Sequence, residues 1–228
     1  MDGHTISDHE FSQFRELIHR IAGISLSPAK KALVCGRLAK RLSRHQLGSY
    51  GEYFRLLTSG QDPGELQIAV DLLTTNETYF FREPRHFEYL RDRILPQATP
   101  GRPFRAWSAA CSTGEEPYSI AMVLADHFGE GPWEVLASDI CTRVLEKART
   151  AHYPLERARL VAERHLSRYC LKGVGSQKGT LLVDRRLRSR VSFAQINLNR
   201  PLPEVGEFDV IFLRNVMIYF DAATKREV

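Results

Sequence analysis

From Arg102 onward, short buried-strand patterns alternate with amphipathic helices, and that alternation leaves the chain few architectures. RPFRAWSAA reads as a strand, followed by a turn and a helix through PYSIAMVLADHFG. WEVLASD reads as a second strand and ICTRVLEKARTAHY as a second helix. RVSFAQINL and FDVIFLRN supply two more strands. Strands separated by helices form a parallel, doubly wound α/β sheet. Right-handed crossovers would place helices on both of its faces. Between the second helix and the third strand lies HLSRYCLKGVGSQKGTLLVDRRLRSRV, whose glycines and short alternating runs predict a small antiparallel β insertion at about residues 165–190.

The chain before this region reads as helices from about Asp8 to Leu73. Phe11, Phe14, Leu17, Ile18 and Ile21 fit a 3.6-residue period, and Gly23 is a plausible stop. Ser27 and Pro28 mark the start of a second helix, which Gly48 would end. Val34, Leu38 and Leu42 form its apolar face, and Arg37, Lys40, Arg41 and Arg44 form a basic one. SYGEYFRLLTSG is a third helix, QDPG a turn, and ELQIAVDLLTTNETYFF a fourth helix.

Composition narrows the function classes. The 228 residues are 43% hydrophobic and 26% charged, ordinary for a globular protein. No stretch approaches the roughly 18 apolar residues of a membrane span, and the polar N-terminus MDGHTISDHEF is no signal peptide. Cys35, Cys111, Cys141 and Cys170 form no CxxC pair, and the histidines form no HExxH spacing, so no metal site is expected. Reduced thiols suit a cytoplasmic location. A net charge of +5 favours a partner with an acidic surface.

In an open α/β sheet, ligands bind beyond the carboxyl ends of the strands. Here those ends are AACSTGEEP, ASDI, INLN and LRNVMIY. The first lacks GxGxxG, and a helix start that binds pyrophosphate presents bare N–H groups. Glu115 and Glu116 stand there instead. Two carboxylates repel phosphate, at about 1 kcal/mol or more per charge pair, and favour a ligand that carries positive charge. S-adenosylmethionine fits, with an ammonium, a sulfonium, an adenosine and no phosphate. The glutamates could equally complement the helix dipole alone. Asp139 closes the second strand, in the region beyond the loop glycine (roughly 20 residues) where a carboxylate commonly binds ribose hydroxyls. It could also cap the following helix. Asn197 ends the third strand and could meet an adenine edge or cap a turn. Arg214 and Asn215 end the fourth strand, with Tyr219 just beyond.

TTNETYFFRE, AWSAACSTGEEPYSIAM, ASDICTRVLEKA and FDVIFLRNVMIYFD together resemble the chemotaxis receptor methyltransferase family, CheR. The resemblance implies an N-terminal all-helical receptor-docking domain (residues 1–75) and a linker that contacts the cofactor (76–101). A Rossmann-like methyltransferase domain (102–228) follows, carrying the β insertion. It implies transfer of a methyl group from S-adenosylmethionine to glutamate carboxylates of chemoreceptors, with S-adenosylhomocysteine as product. By resemblance, Asn76, Thr78, Arg82, Glu116, Asp139, Asn197, Leu198, Arg214 and Asn215 line the cofactor site, and Arg82 and Tyr219 meet the substrate. Phe80 and Phe81 are expected to pack where the two domains join.

The basic face Arg37, Lys40, Arg41 and Arg44 is either a solvated helix side or, by resemblance, the surface that docks on an acidic helical receptor. The insertion resembles the family's small β-subdomain, which in some members grips a C-terminal receptor tether by strand addition. Nucleic-acid binding is not expected, because the basic helix has no interleaved stacking platform, and membrane insertion is not expected, because no stretch is apolar enough to span. The family's sheet normally continues past DAATKREV, so further C-terminal strands are expected outside this chain. Alternative readings are a non-catalytic regulator that binds S-adenosylmethionine or receptor, and a nicotinamide-dependent oxidoreductase.

Overall fold

The computed structural model describes residues 5–228; the first four residues of the polar N-terminal stretch lie outside the described residues. The chain divides into two compact units. One comprises the chain up to Thr75 together with Asn197–Pro201 and Asn215–Val228, and the other Asn76–Ile196 with Leu202–Arg214.

The first unit is helical. Helix α1 spans Asp8–Ala22, opened by a reciprocal cap between Ser7 and Glu10 and closed by Gly23 at φ 70°. A 3-10 turn at Pro28–Lys30 precedes α2, Lys31–Arg44, so Ser27 and Pro28 open the turn and the α-helix begins later than its sequence signal. Helix α3, Tyr50–Thr58, is capped by Ser49, and α4, Pro63–Leu73, by Asp62. Phe14 packs edge-on to Tyr50 and Phe54, with centroids 6.4 and 5.7 Å apart, and Val34, Leu38 and Leu42 are fully buried. The C-terminal segments are tied to α1 and the residues after it. Asn197 Nδ2 donates to the Ile21 carbonyl at 2.7 Å, and Ser25 N–H to the Tyr219 carbonyl at 2.8 Å.

Two expectations are corrected here. The fourth helix stops at Leu73, and Thr74 is already extended (φ −70°, ψ 154°). The Thr74 hydroxyl turns back to the Asp71 carbonyl at 2.9 Å, as short polar side chains do when they compete with the helix. Arg37 then donates to the carbonyls of Leu73 and Thr74, satisfying groups that the helix end leaves unpaired. The basic face of α2 is therefore not four equivalent solvated cations. Arg37 caps α4, Arg41 is bound to Glu65 through Nε at 2.8 Å and through Nη2, and only Lys40 and Arg44 are exposed.

Glu65 is 2% exposed and also accepts from the Tyr53 hydroxyl at 2.6 Å, with His45 Nε2 at 3.1 Å. Burial pushes its carboxyl up, but hydrogen bonds from Arg41, Tyr53 and His45 outweigh that and bring it down to about 2. A carboxylate lowered in this way stabilises the folded state above the ordinary carboxylate range. That contribution is lost as pH falls towards 2. Glu65→Gln is expected to cost about 3 kcal/mol at pH 7 and to flatten the acid limb of urea stability between pH 4.5 and 2.

The second unit begins with Asn76. After α5, Arg85–Tyr89, and one π turn, Leu90–Ile94, the strands and helices alternate as expected. They run β1 (Phe104–Ser108), α6 (Glu115–Phe128), β2 (Trp133–Asp139), α7 (Thr142–Thr150), β3 (His152–Pro154), α8 (Glu163–Tyr169), β4 (Cys170–Lys172), β5 (Thr180–Val183), β6 (Val191–Gln195) and β7 (Val210–Phe212). The main sheet is parallel, in the order β6–β2–β1–β7, with α6 packed on β1 and β2 and α7 on β2 and β6. A separate antiparallel sheet, β3–β5–β4, is the predicted insertion. It starts at His152, inside the stretch expected to continue α7. That helix ends at Thr150, and Ala151 in the left-handed region (φ 54°) turns the chain into β3. Phe80 and Phe81 lie in the core of this unit, Phe80 edge-on to Tyr153 at 5.0 Å and Phe81 stacked on His165 at 5.5 Å.

Candidate functional site

The carboxyl ends of β1 and β2 lie side by side, with Ser108 paired to Ala137 and Asp139 closing β2. The loop after β1 is hydrogen-bonded to both neighbouring strands, Ala109 N–H to the Phe212 carbonyl and Cys111 N–H to the Ser138 carbonyl. Gly114 ends this loop at φ 96°. A Cβ there would lie 2.7 Å from the Tyr153 hydroxyl and 2.8 Å from Ala148 Cβ, so only glycine allows α6 to start against α7.

Asp139 ties the loop after β1 to the start of α7, whose cap position is Cys141. Its Oδ2 accepts from Ser112 N–H at 2.8 Å and its Oδ1 from Cys141 N–H at 2.9 Å. Ser112, held at φ 48°, donates its hydroxyl to the Asn76 carbonyl at 2.8 Å. Asn76 Nδ2 is 3.7 Å from Cys141 Sγ. Asn76, Ser112, Cys141 and Asp139 are thus one connected cluster at the end of β2.

The head of α6 forms the second cluster. Glu116 accepts from the Ser108 hydroxyl at 2.8 Å and from Arg214 Nη1 at 2.9 Å. Arg214 is 10% exposed, stands 5.4 Å over the Phe87 ring, and donates through Nη2 to the Arg82 carbonyl at 2.6 Å and to Glu83 at 3.2 Å. Glu115 is fully buried and accepts from the Thr113 hydroxyl at 2.6 Å. Burial pushes both glutamates above the usual carboxylate range, and Arg214 opposes the rise at Glu116.

The segment between the clusters is strained. Phe81 and Glu83 take φ values of 53° and 55°, a region that costs non-glycine residues about 1–3 kcal/mol each. Thr78 is buried, and Arg82 is half-buried, its Nη1 donating to the Glu77 carbonyl at 2.7 Å and its guanidinium 5.9 Å from the Tyr79 ring.

Of the residues expected from sequence, Asn76, Thr78, Arg82, Glu116, Asp139 and Arg214 fall in this unit, within the two clusters and the segment joining them. Asn197, Leu198, Asn215 and Tyr219 belong to the helical unit. There Asn197 caps a turn, its Oδ1 accepting from Asn199 N–H at 3.0 Å, and Asn215 adopts φ 55°. The sequence reading missed Ser108, Ser112 and Arg157, because serines and arginines outside the strand-end motifs carry no local signal.

The donor set suits S-adenosylmethionine. Buried carboxyl groups, not a run of bare N–H groups, stand at the head of α6, so a phosphate is disfavoured and a cationic group is matched. Comparison with known proteins agrees. The all-alpha domain of CheR methyltransferases matches residues 9–74, and their SAM-binding domain matches residues 76–228. The chain belongs to the CheR methyltransferase family.

A chemotaxis protein methyltransferase of Escherichia coli (strain K12) is 46% identical over 226 residues, covering 98% of this chain and 78% of that protein. Chemotaxis protein methyltransferase 2 of Pseudomonas aeruginosa is 48% identical over 219 residues, covering 95% and 78%. A chemotaxis protein methyltransferase of Borreliella burgdorferi is 35% identical over 234 residues, covering 98% and 82%. CheR membership replaces the oxidoreductase alternative with a SAM-binding methyltransferase domain.

The Glu116–Arg214 pair makes a pH-dependent prediction. Without the guanidinium, the folded-state pKa of Glu116 rises further, and stability falls as pH rises from the ordinary carboxylate range through that value. Arg214→Met is expected to destabilise the chain by about 3 kcal/mol at pH 8 and by clearly less at pH 5, measured by urea unfolding.

Proposed function

We propose residue roles for this chemotaxis methyltransferase, which transfers the methyl group of S-adenosylmethionine to glutamate side chains of chemoreceptors. Asn76, Thr78, Arg82, Glu116, Asp139, Asn197, Leu198, Arg214 and Asn215 line the cofactor site, and Arg82 and Tyr219 meet the glutamate. The observation that carries the reading is the acidic head of α6 beside Asp139, where a phosphate-binding fold would keep bare amides.

Glu116 faces the cationic methionine end, balanced by Arg214 so that the site is not left with a bare buried charge. Asp139 receives the ribose hydroxyls, already oriented by the two backbone N–H groups that hold its oxygens. Asn76 and Thr78 supply short polar contacts beside them. When bound, S-adenosylmethionine supplies a methyl carbon activated by its sulfonium. The acceptor carboxylate is ionised at pH 7 and needs no general base. Arg82 therefore acts by placement. One nitrogen is anchored on the Glu77 carbonyl, and its remaining N–H groups hold one carboxylate oxygen or its flanking face. Orientation of this kind can lower a barrier by up to roughly 7–11 kcal/mol. Tyr219 is the second residue that this reading assigns to the acceptor.

Receptor docking falls to the helical domain and above all to Lys40 and Arg44, because Arg37 and Arg41 are engaged internally. The acidic receptor surface makes that association weaken with salt. The exposed edge of β4, with Leu171 outward, suits a receptor tether added as a strand. No described helix is long and apolar enough to cross a membrane; a cytoplasmic location is part of this proposal and rests on the acceptor glutamates of the receptor's cytoplasmic domain.

Arg82→Ala is expected to lower turnover at least about 100-fold while calorimetric affinity for S-adenosylhomocysteine stays within about three-fold. Equal losses in both contradict the assigned role. Asp139→Asn is expected to do the reverse first, weakening product binding about ten-fold.

A further inference from the structure

The segment from Thr78 to Arg82 carries two of the proposed site residues, and its Arg82 end is held by Arg214. Its Thr78 end is held by Arg157, in the 3-10 turn Leu155–Ala158 that follows β3. Arg157 Nη1 donates to the Thr78 carbonyl, and the carbonyl of Arg157 itself accepts from Phe80 N–H at 3.1 Å. Arg157 thus grips the segment twice, at Thr78 through its side chain and at Phe80 through its backbone. Behind the guanidinium stands Glu115, fully buried, with Oε1 3.6 Å from Arg157 Nη1 and without a hydrogen-bond partner of its own. A buried carboxylate in such a loose pair adds little stability. Its effect is to fix where the guanidinium stands, since moving Arg157 away would strand the charge.

From this geometry we infer that Arg157 is a positioning residue for the cofactor site, holding Thr78 in place while Glu115 holds Arg157. The inference rests on the assignment of Asn76 and Thr78 to that site. The two consecutive glutamates of α6 then act on opposite ends of one strained segment, Glu115 through Arg157 and Glu116 through Arg214.

Calorimetry with S-adenosylhomocysteine and thermal unfolding, run in parallel on variants of the chain, test the inference. Arg157→Met is expected to weaken product binding about ten-fold and to lower Tm by about 5 °C. The double variant Glu115→Leu, Arg157→Met removes both charges of the buried pair. It should recover most of the Tm without recovering binding, because the Thr78 carbonyl still lacks its donor. Arg157→Lys keeps the charge opposite Glu115 but loses the planar fork. It should bind about three-fold more weakly at nearly unchanged Tm, which decides the question if Arg157→Met fails to fold. Binding that recovers together with Tm in the double variant, or binding unchanged in the single variants, overturns the inference. Asn76→Ala separates the two levels of failure. If it weakens binding while the Arg157 variants do not, only the positioning role is lost. If none of them weakens binding, the assignment of the segment to the site fails as well.

Discussion

Two neighbouring glutamates at the head of α6, each set against an arginine, organise the methyltransferase unit at that end of its sheet. Glu116 pairs with Arg214 and Glu115 stands behind Arg157; both arginines pass the constraint on to backbone carbonyls, those of Arg82 and Thr78. The Ser119 hydroxyl, one turn further along α6, accepts Phe81 N–H at 3.0 Å and itself donates to the Glu115 carbonyl at 2.7 Å. One helical turn thus holds a five-residue segment at both ends and in the middle. That segment contains a left-handed Phe81 and runs into a left-handed Glu83, conformations that persist only when their surroundings over-determine them.

This arrangement is costly in itself. Buried ion pairs are weak sources of stability, because desolvation cancels most of the attraction. The stability comes instead from the apolar core beneath, where Ala106, Ile120, Leu124, Val135 and Ala137 are fully buried between the sheet and α6. Phe80 and Phe81 extend that core upward as anchors. The polar clusters then confer position: a carboxylate, a guanidinium and short polar side chains are fixed relative to one another. A reaction whose nucleophile is already ionised depends chiefly on such placement.

Much of this was legible in the sequence where the signal is local. WEVLASD is β2 from end to end, Gly23 stops α1, and alternating strands and helices give the parallel sheet with its small antiparallel companion. The family motifs at the strand ends named Asp139, Glu116 and Arg214, which the fold gathers into the polar clusters beside α6. What failed depended on partners distant in the chain. Thr74 leaves the helix because its hydroxyl and Arg37 offer alternatives to the next helical turn, and nothing in ELQIAVDLLTT predicts Arg37. Arg41 looked like a docking cation until the fold brought up a buried Glu65 from another helix. Arg157 sits in an unremarkable turn, and its role exists only because Thr78 is folded against it.

Amide hydrogen exchange at Phe80 and Phe81 in the ligand-free protein tests most directly whether Arg157 and Ser119 hold this segment. The account predicts protection close to that of the β1 and α6 amides, since both N–H groups are buried and bonded. Exchange of both amides at the rate of an open loop would contradict it.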